Sequence, residues 1–587
     1  MDRRPGVQRD EAVPLRGLPR SSRAAQLRLR VPPGGAEAAR RPRDEHRDHE
    51  VISTTKVASW FDLRVSLTRR QFIWTAAAAS LSLPGLAPSE VEGQERNEAS
   101  RGGSRFQHGV ASGDPLGDRI ILWTRVTPRE PSVNQSLTLR WRIGTDPQLQ
   151  RTVSSGTVET GAARDYTVKV DAGGLMPGAT YYYAFDIDGE QSPIGRTKTF
   201  PASGATRMRF ALVSCSNYPA GFFNVYASMA KRPDLDAIVH VGDYIYEFGE
   251  GEYGAGLEIN RVPEPPREAV ALSDYRLRYA TYRTDPDLQE AHRLFPFIAV
   301  WDDHEICNDA WAGGAINHNP EKGEGDWATR KAAAYKAYLE WMPIRESTDP
   351  GIHLYRTFRF GGLADVVMID TRGLRDKQLF NADGDALADP KRTLMGDLQE
   401  AWLFEQLRAS QRANTPWTLL AQQVVFSPIS LPGTRITNPD AWDGYPAQRT
   451  RVLDVLEREK LRSLVVMTGD AHSSWGFDVP RNPWGSYRSA TGEGSLAVEL
   501  VTPAISSPTP MMFSGKDGPE TAAAVRVAFP HLKYLDGTRH GYAIVDLTPT
   551  LMTASWYYSP NTRIHSDAEV AGTTLVCERG SAHLQPA

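Results

Sequence analysis

Cysteine is scarce in this sequence of 587 residues, which contains only Cys215, Cys307 and Cys577. Three widely separated cysteines cannot build the disulfide framework of a small secreted domain. Stability must therefore come mainly from ordinary hydrophobic cores. A strong net charge is also missing, because 67 basic and 71 acidic residues leave a net charge of -4. A chain this balanced has no dominant field to attract polyanions, so we expect no stable nucleic acid partner.

The apolar run at residues 74–83 is too short for a membrane span and has the length of a signal-peptide core. It follows Arg69-Arg70-Gln71-Phe72-Ile73, and the whole segment resembles a twin-arginine export signal. Paired arginines are common in an Arg-rich chain, but the adjoining Phe-Ile pair and small apolar residues favour export. We expect a signal at residues 65–90, use of the twin-arginine export machinery, a periplasmic or secreted protein, and no transmembrane anchor after signal removal.

Residues 1–64 are crowded with Arg, Pro, Gly and Ala and have no sustained hydrophobic period. Export signals of this kind begin near the start of a chain. We therefore predict that residues 1–64 are disordered, or that they lie upstream of the true start, for which Val65 is the candidate.

Between residues 105 and 203 short runs of alternating apolar and polar residues are separated by clusters of Gly, Pro and Asp. This pattern predicts an antiparallel β-sandwich. Leu175, Pro177 and Tyr181 are similar to the corner of fibronectin III- and Ig-like sandwiches, where a Tyr hydroxyl bonds back to the backbone. Simple turn chemistry is the alternative. The glycine-rich segment 108–115 either approaches a neighbouring domain closely or is a plain turn.

Six short apolar runs further along the chain each stop at polar residues. The runs are 208–213, 237–241, 297–301, 365–369, 417–421 and 463–468. Because they lack regular polar alternation, they suit strands that are covered on both faces. Ligands of open α/β sheets bind beyond the carboxyl ends of the strands. The polar residues after the runs are therefore expected to line one pocket.

Two of these strand ends carry residues suited to a transition metal. Asp243 comes directly after a run and could bridge two cations, and Tyr246 could return to the same site one turn later. A phenolate ligand favours a strongly Lewis-acidic ion such as ferric iron. Cys215 could add a thiolate, although an inert core cysteine is the commoner fate of a lone Cys.

The segment Asp302-Asp303-His304-Glu305 is too charged for an ordinary core. Asp303 and the nearby Asn308 offer oxygen ligands, and His304 could protonate a leaving oxygen or hold a phosphate. A solvated acidic turn remains an alternative for Asp302 and Glu305 taken singly.

Asp470 and His472 could face the same site from one loop. A lone Asp-x-His pattern is weak evidence for a site, because many surface loops contain one. Arg372 and Arg375 could bind a phosphate as a guanidinium fork, or form structural salt bridges. The two glutamines after the run at 417–421 either join the site or only satisfy backbone groups.

These motifs resemble the alkaline phosphatase D family of metallophosphoesterases. The matching segments are 109–115, 121–125, 214–217, 242–247, 301–305, 469–472 and 541–542. They follow the family order and cover most of the chain after the signal. The resemblance implies a multi-domain α+β protein with a fibronectin III/Ig-like β-sandwich at 105–203, an αββα metallophosphatase domain at 207–560 and a C-terminal tail at 561–587.

The resemblance also implies residue roles and two ions, Fe³⁺ and Ca²⁺. The implied iron ligands are Cys215, Asp243 and Tyr246, with Asp243 bridging to calcium. The other implied metal-binding positions are Asp303, Asn308, Asp470 and His472. His304 would act as the catalytic acid, and Arg372 would bind the phosphate.

The function expected from this set is hydrolysis of phosphate monoesters, and also diesters, by attack of a metal-bound hydroxide. A phosphodiesterase or phospholipase D-like enzyme on the same metals is an alternative, because leaving-group preference depends on pocket walls that the sequence does not reveal. A surface-binding protein with an inactive metal domain is an alternative of another class.

Overall fold

The described part of the chain contains more strand than helix, and its strands belong to three sheets. The computed structural model describes residues 103–129, 136–254, 259–347, 353–380, 384–434, 436–509 and 519–587. The predicted upstream extension at 1–64 and the predicted export signal at 65–90 lie outside the described residues. No helix in the described part of the chain is long and apolar enough to cross a membrane.

The strands, in chain order, are β1 (Val110–Gly113), β2 (Arg119–Arg125), β3 (Ser136–Gly144), β4 (Thr152–Gly161), β5 (Thr167–Gly173), β6 (Thr180–Ile187), β7 (Glu190–Gln191), β8 (Gly195–Lys198), β9 (Met208–Val213), β10 (Ala237–His240), β11 (Pro296–Ala299), β12 (Arg356–Phe360), β13 (Ala364–Met368), β14 (Trp417–Ala421), β15 (Leu464–Thr468), β16 (Ser474–Pro480), β17 (Ser495–Val501), β18 (Leu532–Asp536), β19 (Gly541–Leu547), β20 (Leu551–Tyr558), β21 (Val570–Glu578) and β22 (Gln585–Pro586). The helices are α1 (Asn224–Ala230), α2 (Leu272–Tyr282), α3 (Pro286–Leu294), α4 (Trp327–Trp341), α5 (Gly384–Leu387), α6 (Asp397–Arg412), α7 (Pro446–Arg458) and α8 (Pro519–Ala528).

The largest sheet has ten strands in the order β22-β21-β20-β19-β9-β10-β11-β1-β2-β5. A second sheet has seven strands in the order β12-β13-β14-β15-β17-β16-β18. The third sheet contains β4, β3, β6 and β7, with β8 also paired to β6. The architecture is therefore α+β with mostly sheet content.

All six predicted apolar runs form strands, namely β9, β10, β11, β13, β14 and β15. In the ten-stranded sheet β10 lies parallel to both β9 and β11. In the seven-stranded sheet β14 lies parallel to both β13 and β15. Each group of three parallel strands therefore brings its carboxyl ends, and the polar residues after them, to one edge of its sheet.

Successive residues of the seven-stranded sheet pack into two different cores, because side chains alternate between the faces of a strand. Leu419 belongs to a buried cluster shared with Leu212 of the ten-stranded sheet. The next residue, Leu420, belongs to a cluster shared with Leu403 of α6 and Val452 of α7. Both faces are covered, which explains why these runs lack polar alternation.

Two helices begin with the sequence signals expected at an N-terminus. The Asp285 side chain accepts hydrogen bonds of 3.0 Å from the backbone N–H groups of Asp287 and Leu288 at the start of α3. Asp326 accepts one of 3.0 Å from the backbone N–H of Thr329 at the start of α4. Such caps satisfy backbone donors that have no partner within the helix.

The strands of residues 105–203 do not form a separate unit, because β1 pairs in parallel with β11. Through β1, the strands β2 and β5 join the sheet that carries the candidate site. A buried cluster containing Leu122 of β2 and Leu139 of β3 lies between this part of the sheet and the five-stranded sheet. The Tyr181 hydroxyl accepts a hydrogen bond of 2.7 Å from the backbone N–H of Met176, which is the backbone contact expected for a tyrosine corner.

Residues 561–587, predicted as a C-terminal tail, instead supply β21 and β22 at one edge of the ten-stranded sheet. Leu575 and Cys577 of β21 are buried in the same cluster as the central strands. The apolar residues of β21 come in two short groups, 570–571 and 575–577, separated by Gly-Thr-Thr, so no regular alternation revealed the strand.

The glycine-rich segment at 108–115 makes a close approach to the rest of the chain. A Cβ atom on Gly113 would lie 2.1 Å from the carbonyl oxygen of Pro343 and 2.7 Å from that of Phe297. The next residue, Asp114, is buried and accepts hydrogen bonds of 3.0 and 2.7 Å from the Arg356 guanidinium. Of the two interpretations from sequence, the close approach is the one observed.

We expect Gly113→Ala to lower the free energy of unfolding by about 1–3 kcal/mol, because backbone oxygens must move to admit the methyl group. Denaturant unfolding of the purified protein measures the change. Gly117→Ala is the matched control, since its nearest neighbour would be the carbonyl oxygen of Phe200 at 3.7 Å. Equal stabilities for the two variants would contradict the close approach.

Candidate metal centre

The polar residues that follow the six parallel strands lie in one buried region where the two larger sheets meet. Cys215 follows β9, Asp243 follows β10, and Asp303 and His304 follow β11. Arg372 follows β13, and Asp470 and His472 follow β15. Contacts between Tyr246 and His472 and between Arg372 and Asp302 join the two sheets. The polar residues after the strands therefore converge, as the sequence predicted.

Four of these residues have a left-handed backbone, which is uncommon outside glycine. The φ angles are 64° at Cys215, 56° at Asp243, 57° at Asp470 and 50° at His472. Such conformations cost energy and persist where the surrounding structure fixes them, often at functional sites. Gly242, between β10 and Asp243, has φ 108°, and a Cβ there would lie 2.4 Å from Asp302 Cβ. The sharp turns aim the side chains into the pocket.

The first group of possible metal ligands consists of Cys215, Asp243 and His472. One donor atom from each lies within 4.8 Å of the others, and all three residues are buried. The Tyr246 hydroxyl joins them, lying 3.0 Å from Asp243 Oδ2 and 3.1 Å from His472 Nε2. These four residues, predicted as ligands from the sequence, are thus adjacent in space.

The second nitrogen of His472 is already engaged. Nδ1 lies 2.9 Å from the carbonyl oxygen of Pro508 and donates its proton to it. Nε2 is therefore the nitrogen without a proton, and it lies 3.1 Å from the Tyr246 hydroxyl. Metal-binding histidines are commonly oriented in this way, with the other ring nitrogen bonded to a carbonyl or carboxylate.

A second group, Asp243, Asp303 and His304, shares Asp243 with the first. Asp302, Asp303 and Asp470 form a further group of donors at similarly short separations. Asp243 therefore belongs to two neighbouring groups of donors.

Several of these carboxylate oxygens are buried without a hydrogen-bond donor. They are Asp243 Oδ1, Asp302 Oδ2 and Asp303 Oδ1. Buried polar atoms are normally hydrogen bonded, and a buried charge needs a compensating charge. Oxygen, thiol, phenol and imidazole donors around unpartnered carboxylates are the chemistry that a metal ion would satisfy, so the residues present fit a metal.

The acidic groups resist ionisation in this environment. Burial raises the pKa of Asp243 to about 7, and the neighbouring charges of Asp303 and Asp470 add to the rise while His304 and Arg372 oppose it. Burial, followed by the charge of Asp243, raises the pKa values of the Cys215 thiol and the Tyr246 phenol. A bound cation would reverse this preference, because it stabilises the ionised form of each ligand.

The carboxylate of Glu247 holds the His304 ring through its Nδ1. Its Nδ1 lies 2.8 Å from Glu247 Oε2, while Glu247 Oε1 accepts a hydrogen bond of 2.6 Å from the backbone N–H of Asn308. Burial acts to lower the pKa of His304, but Asp303, Glu247 and Asp243 outweigh burial and raise it. His304 can therefore carry a proton in the site. Asn308 is partly exposed, and its backbone contact with Glu247 holds it beside this pair.

Arg372 is fully buried and bonded to several acids at once. Its Nε donates to Asp302, and its Nη1 lies 2.9 and 2.7 Å from the two carboxylate oxygens of Asp440. Its Nη2 makes no hydrogen bond and lies 3.4 Å from Asp303 Oδ1 and 3.7 Å from Asp470 Oδ1. Salt bridges, one of the two interpretations from sequence, are therefore present, and Nη2 is the nitrogen left facing Asp303 and Asp470.

The two glutamines after β14 satisfy backbone groups. Gln422 Nε2 donates to the carbonyl oxygen of Val424 at 2.6 Å. Gln423 Nε2 donates to those of Trp301 and Ile369 at 2.9 and 3.1 Å. These hydrogen bonds account for the buried amide groups of both glutamines without a role in catalysis.

Comparison with known proteins adds an independent line of observation. The model of the PhoD-like phosphatase family matches residues 210–556, and that of the PhoD-like phosphatase N-terminal domain matches residues 91–201. The chain belongs to the PhoD-like phosphatase family. It is a phosphoric ester hydrolase, and its substrate is a phosphate ester.

One relative and one solved structure illustrate the similarity. The chain is 37% identical over 512 residues to alkaline phosphatase D of Bacillus subtilis (strain 168), which covers 84% of each protein. A solved structure of PhoD matches with a TM-score of 0.75 and 34% identity, over 83% of this chain and 92% of that one.

Three residues of this PhoD-like site were given no role by the sequence reasoning, namely Glu247, Glu305 and Asp440. Glu305 is fully buried and accepts hydrogen bonds from the backbone N–H groups of Asp302, Asp243 and Tyr244 at 2.7, 3.1 and 2.6 Å. It thereby ties the turn after β10 to the turn after β11. The charged run that contains Glu305 was the available signal, whereas nothing in the sequence marked Asp440.

Proposed function

We propose that the chain is an exported, metal-dependent alkaline phosphatase that hydrolyses phosphate monoesters and also phosphodiesters. One observation carries the metal dependence. Asp243 lies between two groups of donor side chains, and its buried Oδ1 has no hydrogen-bond partner. A phosphatase site with this excess of buried carboxylate needs cations both to be stable and to accept a phosphate dianion.

We further propose two kinds of ion. Cys215, Asp243 and Tyr246 would hold Fe³⁺, since thiolate and phenolate ligands suit a strongly Lewis-acidic transition metal. Asp243 would bridge to Ca²⁺, and Asp303, Asn308, Asp470 and His472 would supply the other metal ligands, with His472 lying beside Cys215 and Tyr246. When bound, the ions would neutralise the phosphate oxygens and activate a water for attack on phosphorus.

His304 would supply the proton that the leaving oxygen needs. Its Nδ1 faces Glu247 at 2.8 Å, so Nε2 is the nitrogen available to a substrate. The raised pKa of His304, which the carboxylates of Asp303, Glu247 and Asp243 cause against the effect of burial, supports a protonated ring before reaction. Arg372, tied at Nε and Nη1, would offer only Nη2 to a phosphate oxygen.

The layer arrangement proposed for the fold is an αββα metallophosphatase domain preceded by a β-sandwich. The two clusters on opposite faces of the seven-stranded sheet support the first part. The cluster between β2 and β3 supports the second part. The proposed domain limits are those predicted from the sequence, except that β1, β2 and β5 join the ten-stranded sheet and that residues 561–587 supply β21 and β22.

The function is tested with the full-length purified protein. We would determine its metals by elemental analysis and measure initial rates on a phosphate monoester and a diester before and after chelation, with Ca²⁺ then restored. Iron in the protein and calcium-dependent release of phosphate are expected. A faster diester rate would indicate a phosphodiesterase, whereas folded protein with neither metal nor activity would favour the surface-binding alternative.

We expect Cys215→Ser to lower the iron content of the purified protein by at least about tenfold, because a hydroxyl is a poor substitute for a thiolate. Elemental analysis measures the change. Cys577→Ser is the matched control, since Cys577 is also a buried free cysteine but lies on β21, outside the donor groups. Equal iron in both variants would remove Cys215 from the ligand set.

We expect replacement of Arg69 and Arg70 by lysine to keep the protein inside the producing cell, because the export machinery reads paired arginines. Cell fractionation and immunoblotting compare this variant with the unaltered chain. Lys56→Arg, which alters a basic residue before the signal, is the control. Unchanged export of the double variant would contradict the proposed route to the periplasm or the medium.

A further inference from the structure

Two aromatic side chains at the edge of the site are not used by the proposed chemistry. Phe248 and Tyr253 follow the turn that carries Asp243 and Tyr246, and both are partly exposed. The Tyr253 ring is stacked on Tyr246 with 5.5 Å between ring centroids, and the Phe248 ring is stacked on Tyr253 at 5.3 Å. They form an aromatic stack that leads outward from the buried phenol.

This stack also contacts the histidines contributed by both sheets. The Tyr253 ring lies 5.9 Å from His304 and 6.4 Å from His472, and the Phe248 ring lies 5.3 Å from His304. The Tyr253 hydroxyl lies 3.2 Å from His472 Nδ1. The aromatic rings therefore flank His304, the proposed acid.

The partly exposed residues mark where solvent reaches the site. Most of the donor residues are buried, whereas Asn308, Asp470, Phe248 and Tyr253 are partly exposed. A substrate phosphate bound among the buried donors must therefore extend its alcohol past these residues. These four residues form the rim of the site, and Phe248 and Tyr253 make one part of the rim aromatic rather than charged.

Hydrogen bonds hold the backbone around Phe248 in place. Fully buried Arg278 donates hydrogen bonds to the backbone carbonyls of Phe248, Pro265 and Arg267 at 2.7, 2.8 and 3.0 Å. The Glu252 carboxylate accepts one of 2.9 Å from the backbone N–H of Gly249. An aromatic surface whose backbone is held in this way should lose less conformational entropy on binding a planar group than an untethered one, which favours recognition.

We propose that Phe248 and Tyr253 form the leaving-group subsite and give it a preference for phosphate esters whose alcohol carries an aromatic ring. The inference rests on the proposed function and names a substrate class for that same site. Aromatic rings prefer offset-stacked or edge-to-face contact with other rings. A small polyol such as glycerol has no ring, so ring contacts with Phe248 and Tyr253 would not strengthen the binding of its ester.

Binding is tested without turnover by using two phosphonates, which carry a carbon in place of the ester oxygen. Calorimetric titration of the metal-containing protein gives the Kd of phenylphosphonate and that of methylphosphonate. The tested variants are Phe248→Ala and Phe248→Leu, the second of which keeps the side-chain volume close to that of Phe. Phe222→Ala is the control, because the ring contacts of Phe222 are with His565 and Arg261.

We expect Phe248→Ala to shift the ratio of the two Kd values by about 2- to 12-fold against phenylphosphonate, the range that aromatic pairs produce. Phe248→Leu should shift it in the same direction, and Phe222→Ala should leave it unchanged. In kinetic assays kcat/KM for phenyl phosphate should fall relative to that for glycerol 2-phosphate. A constant ratio in both Phe248 variants would overturn the subsite.

The outcomes separate this inference from the proposed function. If the unaltered protein hydrolyses both esters and the Phe248 variants lose both activities equally, the subsite is wrong and the phosphatase stands. If the unaltered protein binds neither phosphonate and hydrolyses neither ester, the proposed function fails and the subsite fails with it.

Discussion

Asp243→Asn should reduce phosphate ester hydrolysis by about a thousandfold or more, which corresponds to roughly 4 kcal/mol in the activation barrier. Asp243 is shared by the two groups of donors, so an amide at this position removes one charge from both. Amide oxygens bind cations more weakly than carboxylates do, and an amide cannot bridge two ions as a carboxylate can. Initial rates on a phosphate monoester and elemental analysis of the same preparation measure the effect.

Stability measurements distinguish this loss from unfolding. The Asp243 carboxyl group has a pKa of about 7 because burial disfavours its charge, and its Oδ1 has no donor. A neutral amide should therefore fold at least as well in the absence of metal. Added metal should raise the Tm of the unaltered protein but not that of Asp243→Asn, since only ligands that bind the folded state stabilise it.

Asp443→Asn is the matched control for this experiment. Asp443 is also a buried carboxylate whose pKa is raised by burial, but it bonds to the backbone N–H of Ile429 and belongs to none of the donor groups. Its variant should keep activity and metal content. A fully metallated and fully active Asp243→Asn protein would overturn the proposed centre.

Arg372→Met should lower the free energy of unfolding by about 3–5 kcal/mol, the usual cost of removing one partner from a buried ion pair. Arg372 is fully buried between Asp302 and Asp440. Burial acts to raise the pKa of Asp440, yet Arg372 and Arg375 outweigh it and hold that pKa at about 2. This depressed pKa stabilises the folded state above the ordinary Asp pKa, so the contribution is fully present at neutral pH.

Denaturant unfolding at neutral pH measures the effect, with Arg207→Met as control. Arg207 pairs with Asp546 at 2.6 Å, but its side chain is 60% exposed. Exposed pairs contribute little, so this variant should change stability by less than about 1 kcal/mol. Similar small losses in both variants would show that the Arg372 network does not hold the site together.

The local hydrophobic pattern was enough to locate the strands that carry the site. Six apolar runs predicted β9, β10, β11, β13, β14 and β15, because strands covered on both faces have contiguous apolar residues. The polar residues after them were expected to converge, and Cys215, Asp243, Tyr246 and His472 do lie together. The sequence motifs were also enough to point to the PhoD-like family.

Other parts of the site depend on contacts between distant segments. Glu305 bonds to the backbone of residues 61 and 62 positions earlier, and Arg372 meets Asp440 across 68 positions. A single carboxylate has no local pattern that identifies its partner. The pairing of β1 with β11 also joins distant segments, so the sequence did not predict it. The strands at 570–586 were not predicted either.

The sequence by itself thus determined where the six strands that carry the site lie along the chain and which residue types follow them, because both are properties of neighbouring positions. Only the tertiary structure decided which acids are compensated by Arg372, which are left without a donor, and which rings border the opening. Those features depend on burial and on distances between residues far apart in the chain, and burial is what makes an unpaired carboxylate a site for a cation.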